Sequence, residues 1–93
     1  MERLKVIKTD QFQLDLEDMV MYVARDNIDA ALGLEALIHT QVDQLADPNF
    51  PRRRGRVTGM LELVAHPNYI VVLQQTDTSV TALTVMHVAR RYP

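Results

Sequence analysis

The sequence predicts an α+β fold: one N-terminal strand, a two-helix hairpin, and then three strands forming an antiparallel sheet. Three observations lead there. A short apolar–polar alternation opens the chain, two apolar stripes at helical spacing follow, and the second half is a series of β-branched runs separated by turn residues. Helices gathered on one face of a largely antiparallel sheet are the layer arrangement this order allows. At 93 residues the chain is expected to make a single domain over 1–93, near the lower size limit for folding around one core.

Leu4–Thr9 alternates and is β-branched at Val6 and Ile7, which favours a first strand. Thr9 or Asp10 can accept from free N–H groups and cap a helix. In that helix Phe12, Leu16, Met19, Val20 and Val23 form the apolar stripe, with Asp15, Asp18 and Arg25 off it. Asp26 or Asn27 breaks the pattern and caps a second helix over about Ile28–Leu45. Its stripe is Ala30, Ala31, Leu34, Leu37, Ile38, Val42 and Leu45, and the alanines permit close approach of the first helix. Gly33 lowers the intrinsic preference of this helix by about 1 kcal/mol relative to alanine.

Asp47-Pro48 and Phe50-Pro51 end the helical region, because the residue before proline disfavours αR backbone. Phe50 is expected against the core. The arginine run Arg52–Arg54 and Gly55 lead into a strand expected over Arg56–Ala65. In it Val57, Gly59, Leu61 and Leu63 share one face, and Arg56, Thr58, Met60 and Glu62 the other. His66-Pro67-Asn68 forms a turn. Strands follow over Tyr69–Thr76 and Val80–Val88, with Asp77-Thr78 at the hairpin tip. Both strands are apolar on both faces, so either apolar sheet surface remains for a partner, or the strands are central and partly covered on both sides.

Composition excludes several classes of function. There is no cysteine, so neither disulfides nor thiolate metal sites are available. No apolar run approaches the ~18 residues of a membrane span, and the N-terminus lacks the apolar stretch of a secretory signal. A cytoplasmic protein with no membrane partner is expected. Residues 1–51 carry ten acids and four bases, whereas residues 52–93 carry two acids and six bases. The net charge of −2 therefore hides a dipole that a partner can read. It falls short of a dedicated nucleic-acid binder. His39, His66 and His87 have no metal-ligand spacing, His66 reads as a surface residue of its turn, and no phosphate-binding glycine loop is present. Neither a metal nor a cofactor is expected.

The order of elements and the second half together resemble the ParE branch of the RelE/ParE toxin superfamily. The residues that carry the resemblance are Gly55-Arg56, Gly59, Glu62-Leu63-Val64, Tyr69-Ile70-Val71, Val85, His87, Arg90 and Tyr92-Pro93. The stretch 15–27, DLEDMVMYVARDN, is similar to the first helix of the family. Relatives often carry arginine before the glutamate, where this chain has Leu61. The resemblance implies a RelE/ParE-like fold and a bacterial toxin held inactive by a cognate antitoxin, ParD-like for the ParE branch. ParE-type members poison DNA gyrase; RelE-type members cut mRNA on the ribosome.

The two activities ask for different residues. Cleavage by a 2′-hydroxyl needs a base, an acid and cations at the phosphate. Glu62 or His87 could serve as base, His87 or Tyr92 as acid, and Arg54, Arg56, Arg90 and Arg91 as phosphate holders. The nuclease set is thus Glu62, His87, Arg90, Arg91 and Tyr92. On the expected strand Arg56 and Glu62 lie about 20 Å apart, too far for one phosphate, and Glu62 could equally pair with a neighbouring strand. Inhibition of gyrase needs only a docking surface, for which Arg52, Arg53, Arg54, Arg56, Arg90, Arg91 and Tyr92 are the candidates. In that reading nucleic acid is contacted only indirectly and no residue is catalytic.

Overall fold

A computed structural model describes residues 2–89. Its elements are β1 (Lys5–Lys8), α1 (Asp10–Ala24), α2 (Ile28–Gln44), β2 (Arg53–Arg54), β3 (Leu61–His66), β4 (Tyr69–Gln75) and β5 (Ser79–His87). The sheet has five strands in the order β1-β5-β4-β3-β2. The antiparallel meander β3–β4–β5 is as expected, and the α+β class holds. The sheet is nevertheless mixed, because β1 runs parallel to β5, with Lys5 opposite Ser79 and Lys8 opposite Ala82. The last strand of the chain is therefore an interior strand.

Both helix starts are fixed by side-chain caps. Thr9 accepts from the Phe12 N–H at 3.0 Å, and its hydroxyl also lies within hydrogen-bond distance of the Ala82 and Leu83 carbonyls of β5. One side chain thus ends β1, starts α1 and ties both to β5. Asn27 caps α2 by accepting from Ala30 N–H at 2.9 Å. In each case one of the two candidate caps is selected, Thr9 over Asp10 and Asn27 over Asp26.

The core lies between the helical hairpin and one face of the sheet. Phe12 and Leu16 of α1, Ala31, Leu34, Ile38 and Val42 of α2, and Leu45 after it are buried. They meet Leu63, Val71, Leu73, Val80, Ala82 and Val85, with Phe50 packed at the margin. Two expected members of the α2 stripe, Ala30 and Leu37, are exposed. Ala30 and Leu37 lie together at one margin of the apolar stripe, and Ala31, Leu34, Ile38 and Val42, centred on the other side of it, take the inward arc.

One further expectation needs correction. The third strand does not begin at Arg56. Residues 56–59 form a turn in which Gly59 has φ of 86°, a backbone region favoured by glycine. The turn is closed by Gly55 N–H donating to the Met60 carbonyl at 2.9 Å and Met60 N–H to that of Val57 at 3.0 Å. It lets Arg53-Arg54 fold back as β2 on Leu61-Glu62, a strand absent from the sequence reading. The face alternation expected for 56–60 therefore does not exist. Of the two possibilities open for the doubly apolar strands, central placement with cover on both sides holds, since Ile70 and Val72, on the side away from the core, are only 4% and 6% exposed. The exposed large apolar residues lie mostly on the helices, at Leu14, Met21, Tyr22, Ile28, Leu32 and Leu37.

Gly33 offers a clean test of the helical hairpin. It sits inside α2, and a Cβ built there meets no atom within 4 Å. The substitution Gly33→Ala should raise stability by about 0.5–1 kcal/mol through backbone propensity alone. Chemical denaturation reads the change, and a loss of stability would contradict the open environment.

Candidate functional site

The three consecutive arginines have three different jobs. Arg52 turns inward to the end of α2. Its Nε donates to the Phe50 carbonyl at 3.0 Å, Nη2 to that of Asp47 at 2.6 Å, and Nη1 to Gln75 Oε1 at 2.9 Å. Both Nη atoms also reach the Leu45 carbonyl, at 3.3 and 3.4 Å. The guanidinium bonds the Leu45 carbonyl at the end of α2 and the linker carbonyls of Asp47 and Phe50, and through Gln75 it pins the proline linker to β4. Burial lowers its pKa, an effect partly offset by the nearby Asp47 carboxylate.

Arg53, opposite Glu62 in the β2–β3 ladder, holds that carboxylate. Arg53 Nε and Nη2 both lie 3.1 Å from Glu62 Oε1, and the Arg56 backbone N–H donates to Oε2 at 3.4 Å. Glu62 is 2% exposed, whereas the Arg53 side chain is 59% exposed. Arg56 and Glu62 are thus neighbours, contrary to the long separation of an extended strand, because the turn folds the chain back. Glu62 takes the alternative role considered from sequence, a cross-strand partner.

Arg54 faces the other way. Together with Arg56, Thr58, Met60 and Gln75 it lines an open cleft of about 470 Å³ beside the β2–β3 turn. Arg54 makes no hydrogen bond or ion pair among the described residues. This cleft gathers Arg54 and Arg56 of the sequence-predicted docking set. Arg90, Arg91 and Tyr92 lie outside the described residues.

His87 is found in a different place. Strand register puts His66, Tyr69 and His87 side by side on β3, β4 and β5. Tyr69 packs edge-on against His87 at 5.0 Å between ring centroids and tilted against His66 at 5.5 Å. Each imidazole Nδ1 accepts a backbone N–H at 3.0 Å, from Asn68 for His66 and Ala89 for His87. His66 is thereby half-buried in an aromatic row. The signal for the row was the two-residue turn Pro67-Asn68, which places residues 66 and 69 opposite one another.

The row borders a groove of about 730 Å³ between α1 and β5. Its α1 wall carries Asp15, Asp18 and Tyr22, Asp26 joins from the turn after α1, and Tyr69, Val85 and His87 lie on the sheet side. Asp15 accepts from the Thr84 hydroxyl and from Gln11 Nε2, the latter at 2.8 Å. Both Asp15 and Asp18 lie off the apolar stripe of α1, which turns them to this wall.

Register also decides which candidates meet. Glu62 pairs with Val72, and Ile70 with Met86, so these four share the face away from the core. Val71, Tyr69, Val85 and His87 share the helix-bearing face. Glu62 and His87 therefore project from opposite sides of the sheet and do not converge. Among the described residues no group of three His, Asp or Glu side chains is arranged to hold a metal ion. No helix among them is long and apolar enough to cross a membrane.

Comparison with known proteins fits this geometry. Residues 6–92 match the family described as the ParE toxin of type II toxin–antitoxin system, parDE. The Y4kP protein of Sinorhizobium fredii is 33% identical over 78 residues, covering 84% of this chain and 81% of that protein. Among solved structures, the chromosomal ParDE toxin–antitoxin system from P. aeruginosa superimposes with a TM-score of 0.79 at 20% identity. That match covers 92% of this chain and 97% of the other. YafQ from E. coli strain BL21(DE3) gives a TM-score of 0.61 at 14% identity over 94% and 96% of the two chains. At these identities the structural likeness speaks for the fold. The chain belongs to the ParE toxin family of type II toxin–antitoxin systems.

The different jobs of the arginines predict different stability effects. Arg52→Ala removes a guanidinium bonded to several carbonyls and should cost about 1–3 kcal/mol. Arg54→Ala, at an exposed position, should stay within about 0.5 kcal/mol of the parent. Equal losses in urea denaturation would contradict the assignment.

Proposed function

We propose that this member of the ParE toxin family acts in the cytoplasm by binding DNA gyrase and is neutralised by a ParD-like antitoxin. In this reading residues 1–93 act as one domain, and the work is done by surface complementarity. Arg54 and Arg56 at the cleft, together with Arg90, Arg91 and Tyr92 beyond the described residues, are the docking candidates. Arg53 and Arg52 support the cleft, one by holding Glu62 and the other by fixing the linker.

The observation that carries the reading is the placement of Glu62 and His87 on opposite faces of the sheet. An mRNA-cleaving site of the RelE type would need a base and an acid within hydrogen-bond reach of one phosphate. Glu62 is also neutralised by Arg53 and 2% exposed, which removes it from substrate. His87 faces a groove walled by Asp15, Asp18 and Asp26, and their negative charge opposes an approaching phosphate.

A supercoiling assay with purified, antitoxin-free protein titrated against DNA gyrase tests the proposal. Supercoiling should be inhibited, with cleaved DNA accumulating. Replacing Arg54, Arg90 and Arg91 together by alanine should weaken inhibition about tenfold or more in a variant that remains folded, since arginines are frequent carriers of interface energy. No inhibition at concentrations that arrest growth would sink the gyrase reading.

A further inference from the structure

Gln75 decides the chemistry of the cleft beside the β2–β3 turn. Arginine only donates hydrogen bonds, so the Gln75 amide atom 2.9 Å from Arg52 Nη1 is the oxygen. What Gln75 has left for the cleft is its NH2 group, which makes no hydrogen bond among the described residues. Register brings Arg54 to the same face. Arg54 lies opposite Leu61, Leu61 lies opposite Leu73, and Gln75 follows Leu73 by two positions. Arg56 and the Thr58 hydroxyl also line the cleft, and among the described residues no aspartate or glutamate does. Its polar side chains are therefore all donors, with Thr58 alone able to accept as well.

The cleft is shaped before any partner arrives. Glu62, the acid nearest to it in sequence, is occupied by Arg53 on one oxygen and by the Arg56 backbone N–H on the other. A Cβ at Gly55 would stand 3.0 Å from the Met60 carbonyl oxygen and 3.4 Å from Glu62 Cγ, so glycine permits the close approach that forms the turn. Met60 and Leu61 add an apolar wall beside the donors. Donors over an apolar wall fit an oxyanion with an apolar neighbour, and carboxylate and phosphate both supply the oxygens. Charge elsewhere separates the two. Residues 1–51 carry ten acids and four bases, so a polyanionic strand running on from the cleft would meet repulsion, whereas a single carboxylate would not.

We propose that this cleft receives the carboxylate of an aspartate or glutamate on gyrase, with an apolar residue beside it seated on Met60 and Leu61. Arg54 offers its forked donors and Gln75 its NH2 group. Arg52 is the positioning residue that fixes which end of the Gln75 amide faces the partner. The assignment rests on the gyrase reading above. It adds the chemical class of the contact and brings in Gln75, a residue outside the arginine set.

Two arms test it on the full chain. In the first, Gln75→Glu keeps an acceptor for Arg52, and so keeps the linker pinned, but replaces the NH2 donor with a negative oxygen. Inhibition of supercoiling should weaken about tenfold or more, because a like charge facing the carboxylate is costly. The urea midpoint should stay at or above that of the parent, which a merely structural role for Gln75 would not combine with lost inhibition. Thr58→Asp, in the exposed turn, should act in the same direction. If the parent inhibits and Gln75→Glu inhibits equally well, the cleft assignment is overturned and the gyrase reading stands. If the parent does not inhibit, the gyrase reading falls and takes the proposed partner with it.

In the second arm the tripeptide acetyl-Leu-Asp-Leu-amide is titrated into the parent beside its asparagine counterpart, and side-chain N–H resonances are followed by NMR. The aspartate peptide at millimolar concentration should shift the Gln75 NH2 and Arg54 Nε–H signals, and added salt should reduce the shift. The asparagine peptide should leave both signals in place. An aspartate peptide that moves neither signal, or an equal response to the two peptides, would overturn the proposal. So would a larger response to inorganic phosphate or to a single-stranded DNA pentanucleotide, which would make the cleft a phosphate site.

Discussion

The parallel pairing of Lys5–Lys8 with Ser79–Ala82 joins the two ends of the chain and makes the last strand an interior one. Most of the architecture depends on it. With β5 held between β1 and β4, the sheet acquires a helix-covered face and an opposite face, and every side chain of β3, β4 and β5 is assigned to one or the other. Thr9 closes the arrangement by capping α1 while bonding to β5. Lys8 reinforces it, with Nζ 2.9 Å from Asp43 and 3.0 Å from His39 Nδ1 on α2. This pairing spans more than seventy residues, so its closure costs more entropy than that of the local β3–β4–β5 meander.

From that two-sided sheet follows the separation of chemistry. Glu62 lies on the open face beneath Arg53, and His87 lies on the helix face beside Tyr69. The same register also separates the poles of charge. The Arg54–Arg56 cleft sits at the β2 margin of the sheet, and the aspartates of α1 stand over the uncovered end of β5. The two margins of the sheet therefore differ in charge, one lined by arginines and the other by aspartates.

Much of this was legible in the residues. Phe12, Leu16, Ile38 and Val42 announced their helices by spacing, and Pro67-Asn68 and Asp77-Thr78 announced their turns. The whole-chain resemblance supplied the family. Illegible were the features set by long-range contact. Nothing in Lys5–Lys8 states that it will run beside Ser79–Ala82, and a two-residue strand such as Arg53-Arg54 carries no periodicity. The arginine run misled as a unit. Arg52 satisfies helix carbonyls, Arg53 neutralises a buried acid and Arg54 meets solvent, distinctions fixed by where the Gly59 turn folds the chain. Ala30 and Leu37 show the same limit, because an apolar stripe wider than the available core leaves its margins exposed.

Under the proposed function the toxin acts on gyrase by docking and not by cutting mRNA. The most direct measurement is the order of events in cells after induction of the toxin without antitoxin. Supercoiling of a reporter plasmid and amino-acid incorporation would be followed over the same first minutes. The account predicts that the plasmid relaxes, or that broken DNA accumulates, before protein synthesis falls. Synthesis that stops first, with mRNAs cut within their coding regions while supercoiling is intact, would contradict it.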